Sequence, residues 1–214
     1  SAQIRLPDAI NRKLLSPFQY FAVTDHVDLQ NLRWQRGGYC SDELDRLYTG
    51  NDLRANLVLE KLRSILLDPL KSRILGFCVS VAHAEYMAAK CSESGIPALA
   101  LSSDTARSDR LRAQDRLRRR EVNILFVVDL YNEGVDIPEI DTVLFLRPTE
   151  SLTVFLQQLG RGLRLHDDKE CLTVLDFVGR AHRNYRFDLH YRALLTDPSI
   201  SLDAQVEHGF TQLP

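Results

Sequence analysis

Gln157, Arg161 and Arg164 fall on one side of a helical pattern in the run 157–164, and two arginines at that spacing suit the oxygens of a triphosphate. A guanidinium is planar, always charged and able to grip phosphate oxygens bidentately, which an ammonium cannot do. On the opposite side Leu152, Phe155, Leu156, Leu159 and Leu163 recur at i, i+3, i+4, i+7 and i+11, the spacing of a buried helix face. Gly160 and Gly162 are out of place in such a helix, each weakening it by about 1 kcal/mol relative to alanine. Their presence implies that backbone passes close to something. An ordinary amphipathic helix with a solvated basic face would show the same stripe, but it would not need the glycines.

A second concentration of polar chemistry is the run 129–138, where Asp129, Glu133, Gly134 and Asp136 precede Pro138. Gly134 permits close backbone approach or a positive φ, and a carboxylate such as Asp136 suits a ribose hydroxyl. Read alone, the run is equally an acidic loop closed by a proline. Beside the arginine helix, the simple loop becomes the weaker reading.

The elements that position these groups alternate. A helical stripe of Val58, Leu62, Ile65 and Leu66 stops before Pro69, and 73–79 reads as a short buried strand. Ser80 can cap a helix over about 82–91, which closes near Gly95 and is followed by a strand at 97–101. A basic helix over about 107–120 leads to strands at 124–128 and 142–146, and 171–177 supplies another after the arginine helix. This pattern predicts an α/β fold, a parallel sheet with helices on both faces, whose chemistry gathers beyond the carboxyl ends of the strands. Arg147, at a strand's carboxyl end before Pro148, is therefore a candidate cleft residue.

The first fifty residues are less regular. A strand at 18–23, a turn at Trp34 with Gly37 and Gly38, and a short helix at 41–50 are expected there. The resulting division is an N-terminal extension at 1–52, one α/β domain at 53–195 and a C-terminal tail at 196–214.

Composition narrows the function classes. Twenty-seven basic against 29 acidic residues leave a net charge of −2 in 214 residues, so no global field draws the chain to nucleic acid or to an anionic membrane. Contact with nucleic acid must be local. Seven arginines between Arg107 and Arg120 invite that reading, but Asp109, Asp115 and Glu121 partly neutralise them, and a solvated helix face is preferred. Arg180, His182, Arg183 and Arg186 with Tyr185 are likewise assigned a bland role, and His83 is expected on a helix surface. Four scattered cysteines show no metal-ligand spacing, so no metal site is expected, and reduced thiols in a cytoplasmic protein fit best. No apolar run approaches the ~20 residues needed to span a bilayer.

Three segments together carry a family resemblance. The runs 73–80, 128–138 and Gln157-x-x-Gly160-Arg161-x-x-Arg164 resemble motifs IV, V and VI of superfamily 2 helicases and translocases, in order. The likeness covers about 55–178 and is to the second RecA-like domain of that two-domain motor. The leading Gln157 is similar to the DNA-directed, restriction-type branch more than to RNA-directed proteins. The stretch 14–21 with Leu32, Arg33 and Trp34 also resembles bacterial helicases fused to a phospholipase-D-type nuclease.

The resemblance implies a role for each matching position. Arg161 and Arg164 would reach the γ-phosphate of ATP across an interdomain cleft, with Arg164 as the arginine finger that stabilises charge in phosphoryl transfer. Gln157 would order the cleft or the surroundings of the attacking water. Glu133, Gly134 and Asp136 would lie near the nucleotide, and Asp129 would communicate with the nucleic-acid backbone. Ser80, Ser102, Ser103 and Arg147 would contact nucleic-acid phosphates, which position a strand without reading its sequence. The 214 residues hold no G-x-x-x-x-G-K-[ST] loop and no metal-binding Asp-Glu box. Those elements, and the Mg²⁺ ligands, are expected on an N-terminal RecA-like domain of the same parent protein, and this chain alone should not hydrolyse ATP. The expected function is the C-terminal motor domain of an ATP-dependent DNA helicase or translocase. A non-catalytic docking module that keeps the helicase fold is the alternative. A dinucleotide-cofactor enzyme fits poorly, since G-x-G-x-x-G is absent.

Overall fold

The computed structural model describes residues 6–128, 137–149, 151–185 and Leu194. A short α1 (Leu6–Asn11) leads into β1 (Phe18–Asp28), then into a small antiparallel pair, β2 (Trp34–Gln35) and β3 (Gly38–Tyr39). Arg36 and Gly37 join that pair with φ of 52° and 84°, the two consecutive positive values of the tight hairpin turn that follows strand twist. Next come α2 (Ser41–Tyr48) and α3 (Asp52–Ile65). The rest alternates: β4 (Ile74–Phe77), α4 (Val81–Glu93), β5 (Ala98–Leu101), α5 (Arg107–Arg118), β6 (Ile124–Val127), β7 (Thr142–Phe145), α6 (Leu152–Gly162) and β8 (Leu172–Arg180).

Among the described residues six strands form one parallel sheet, in the order β1-β8-β7-β4-β6-β5. The central strands β4, β6 and β7 are buried along their whole length. That is why their sequences run apolar without alternation. Alternate residues nevertheless enter different cores. Leu75, Phe77, Leu125, Val127, Val143 and Phe145 meet α5 and α6, while Ile74, Cys78, Ile124, Phe126, Leu144 and Leu146 meet α3 and α4. Gly76 is required by this packing, because a Cβ there would stand 2.6 Å from the Phe126 ring. This is the α/β architecture expected from the alternation, and it is RecA-like.

Three details go beyond the expectation. The strand expected at 18–23 runs to Asp28 and pairs with β8 from Phe18↔Leu172 onward, so part of the N-terminal stretch is an edge strand of the main sheet. His83 is not on the surface: it is fully buried. Its position three residues after the capping Ser80 turns it inward, under α3. The basic helix α5 has most of its charge paired, with Arg112 on Asp109, Arg118 on Asp115 and Glu139, and Arg116 and Arg119 on Glu121.

Candidate functional site

The arginine helix α6 begins at Ser151, whose hydroxyl accepts from the Val154 amide. Phe155, Leu159 and Leu163 are buried in the core, with Leu152 and Leu156 packed against it. Burying each such side chain is worth roughly 1.5–3 kcal/mol. This exceeds the cost of about 1 kcal/mol per helical glycine, so the helix holds. Opposite this face Gln157 is exposed and Arg161 half-buried, and Arg164 is exposed. Arg164 is not on the helix itself. α6 ends at Gly162, with Leu163 as its cap, and the second arginine stands just past the end.

The two glycines differ. A Cβ on Gly162 would lie 2.5 Å from Leu172 Cδ1 and 3.1 Å from Val143 Cγ2, whereas nothing approaches Gly160 within 4 Å. The close approach inferred from the sequence is therefore real at one of them, and it is to the sheet. It seats the last turn of α6 on the first residues of β7 and β8.

That seating decides where the arginines are. As a crossover between parallel strands, α6 runs back along the sheet, so its C-terminus reaches the amino edge of β7 and β8. Leu163 there accepts from the Ser16 amide, next to the start of β1. Ser80, Ser102, Ser103 and Arg147 instead follow the carboxyl ends of β4, β5 and β7. The expectation that the chemistry would gather at the carboxyl edge is thus corrected for Arg161 and Arg164. The structure brings Gln157, Arg161 and Arg164 together on one mount and keeps them apart from the serines and Arg147. Asp129, Glu133, Gly134 and Asp136 lie outside the described residues.

At the carboxyl edge the hydroxyls are already engaged. Ser80 accepts from the His83 amide at 3.0 Å, which makes it the N-cap of α4, and donates to Asp45 of α2. That hydrogen bond, more than any other neighbour, holds the Asp45 carboxyl below its ordinary range. The hydroxyl's one proton is thus given to a carboxylate, which would itself repel a phosphate. Ser102 is buried and accepts from the Asp104 amide at 3.2 Å, while its own amide donates to Thr105 Oγ1 at 2.9 Å. Ser103 is exposed at the same turn and Arg147 is half-buried.

Behind this edge lies a buried polar cluster. Arg54, 3% exposed, pairs with Asp25 of β1, donates to the Leu146 carbonyl at 2.9 Å and stacks over the Tyr48 ring at 4.0 Å. His83 completes it, with Nε2 3.4 Å from Arg54 Nη1 and Nδ1 accepting from the Val79 amide at 3.3 Å. Burial first, and then the Arg54 charge, lower the His83 pKa from 6.5 to about 3. Burial also raises Asp176 to about 6, against the Tyr20 hydroxyl that donates to it. The cluster ties β1, α3 and α4 to the chain just before Arg147. Arg54 shares an apolar stripe with Val58 and Leu62, a signal that was present in the sequence.

Lys169 has no sequence signal. It is buried, and its ammonium donates to Gly162 O at 2.8 Å, Pro138 O at 3.0 Å and Ile140 O at 3.1 Å. Burial lowers its pKa, and Asp141 and Glu139 oppose that shift.

Among the described residues no three His, Cys, Asp or Glu side chains stand together as metal ligands, and no helix is long and apolar enough to cross a membrane. Cys40, Cys78, Cys91 and Cys171 are free thiols.

Comparison with known proteins agrees with this architecture. The profile of the helicase conserved C-terminal domain family matches residues 58–166. IRC3 of Saccharomyces cerevisiae, named as an ATP-dependent helicase, is 28% identical over 172 residues, which cover 80% of this chain and 25% of IRC3. A 51.5 kDa protein of a Lactococcus phage is 28% identical over 85% of this chain and 39% of its own length. The chain thus spans well under half of these relatives. Among solved structures, a fragment assigned to the HsdR subunit of a Vibrio vulnificus type I restriction enzyme superposes with a TM-score of 0.63 and 20% identity, covering 87% of this chain and 37% of that one.

Proposed function

We propose, since this chain belongs to the helicase conserved C-terminal domain family, that it is the second RecA-like half of an ATP-dependent DNA helicase or translocase of superfamily 2. In this reading Arg161 and Arg164 reach the γ-phosphate of an ATP held mainly by an N-terminal RecA-like half of the parent protein. The observation that carries it is the mount of α6: one guanidinium in its last turn and a second just past its end, on a helix locked to the sheet at Gly162, in a chain without a phosphate-binding loop of its own. A rigid mount supplies charge where it develops in phosphoryl transfer without reorganisation at the moment of reaction. Gln157, one turn before Arg161 on the same exposed side, orders the cleft. The 129–136 loop, with Glu133, Gly134 and Asp136, completes the nucleotide side, and Mg²⁺ is held by the other half.

Nucleic acid belongs in this reading to the opposite, carboxyl edge, through Ser80, Ser102, Ser103 and Arg147, with Asp129 assigned to the same partner. The separation of the two edges supports a transducer, in which nucleotide state at one edge is passed through the packed sheet to a strand at the other. The preference for DNA rests on the leading Gln157 of the arginine motif. The parent protein is cytoplasmic in this reading, and a fused nuclease domain is its candidate effector.

The test is steady-state ATP hydrolysis by the complete protein with single-stranded DNA, duplex DNA, RNA or no nucleic acid. DNA should stimulate turnover most. Equal turnover in all four conditions contradicts the motor reading, and stimulation by RNA alone reverses the DNA preference.

A further inference from the structure

We propose that Lys169 is a positioning residue for the arginine pair, clamping the C-terminus of α6 to the turn that leads from the 129–136 loop into β7. The inference rests on the reading that Arg161 and Arg164 act on a nucleotide. An ammonium has three N–H donors, and all three of Lys169 are used on backbone carbonyls: Gly162 at the end of α6, and Pro138 and Ile140 in the turn. Gly162 directly follows Arg161 and lies two residues before Arg164, so the clamped carbonyl belongs to the backbone that joins the two arginines. The turn, closed by the Ile140 amide on the Ile137 carbonyl, is the continuation of the loop assigned to the same nucleotide.

A buried lysine that meets carbonyls instead of a carboxylate is an expensive way to gain stability, since an apolar side chain of similar volume would avoid the desolvation. What the ammonium adds is geometry. The last carbonyls of a helix lack intrahelical partners, and a cation there satisfies one while opposing the negative end of the dipole. Here the same cation reaches a second segment and so fixes the distance between them. Without it the two nucleotide-facing segments keep their folds and lose their mutual register, and a misplacement of about 1 Å can cost on the order of a hundredfold in rate.

The test uses the complete protein with Lys169→Met, which keeps length and removes every donor, beside Arg164→Ala and the double variant. Expected is a fall in kcat for ATP of about a hundredfold with KM for ATP within about twofold, measured below the variant's own melting temperature. Hydrogen exchange should rise in both 137–140 and 160–164. The double variant should lose much less than the product of the two single losses, because without Arg164 the clamp has no finger left to place and only Arg161 to hold. If kcat per folded molecule is unchanged in Lys169→Met, or the two losses multiply, the inference is overturned. If Lys169→Met does not fold, Lys169→Gln, which keeps an N–H donor, carries the same comparison. Full activity in Arg164→Ala would instead overturn the nucleotide reading, a result distinct from an inactive Arg164→Ala beside a fully active Lys169→Met.

Discussion

Both ring nitrogens of His83 face hydrogen-bond donors, the Val79 amide and the Arg54 guanidinium. A neutral imidazole can accept from only one of them, and an imidazolium from neither. The ring is therefore held neutral, with its pKa lowered to about 3. The consequence for stability follows from linkage: the unfolded chain takes up a proton below the ordinary value of 6.5 and the folded chain does not. The contribution is complete above that value and is lost as pH falls from about 6.5 toward 3. In denaturant unfolding, the wild type should lose about 1 kcal/mol more than His83→Gln on going from pH 7.5 to 5.5, a difference that leaves out the opposite contribution of the raised Asp176 carboxyl common to both. An unchanged loss in the variant would place the titration elsewhere. At this scale the sequence was legible where side chains repeat with a period and illegible where one turn of helix decides inside from outside. Ser80 was readable as a cap, but the inward turn of His83 and the reach of Lys169 each depend on neighbours about thirty residues away along the chain.

At the scale of the element, α6 turns on its two glycines. Gly162 faces Leu172, which is fully buried, so a methyl group there forces the last turn off the sheet. Gly162→Ala should destabilise by roughly 1–3 kcal/mol, read as a drop in the midpoint of chemical unfolding. Gly160 faces open space, and Gly160→Ala should stabilise by up to about 1 kcal/mol through helix propensity. A destabilised Gly160→Ala would show that something covers this glycine when the chain is folded. The sequence marked both glycines as anomalous without distinguishing them, because propensity is a local property and a Cβ clash depends on the partner strand. Periodicity located the buried face of α6 correctly. It extended the basic stripe through Arg164, where the helix has already stopped, since a helix end with a residue still in the right-handed region leaves no mark in the pattern.

For the whole molecule, strand order and helix direction determine what can work together. Alternation of helices and strands made the parallel sheet legible, and the apolar runs of β4, β6 and β7 marked its centre. The direction in which α6 crosses was also implied by that alternation, yet the general rule for α/β sheets pointed to the carboxyl edge, and the arginines lie at the other. In the proposed function these two edges are the nucleotide cleft and the nucleic-acid track, with the sheet as the rigid body between them. The central claim concerns one guanidinium that completes a site built elsewhere. It is tested most directly by single-turnover ATP hydrolysis in the complete, DNA-bound protein, wild type against Arg164→Ala, with nucleotide affinity measured in parallel. The account predicts a fall in the hydrolysis rate of about a thousandfold with ATP still bound. Hydrolysis at the wild-type rate in Arg164→Ala would contradict it.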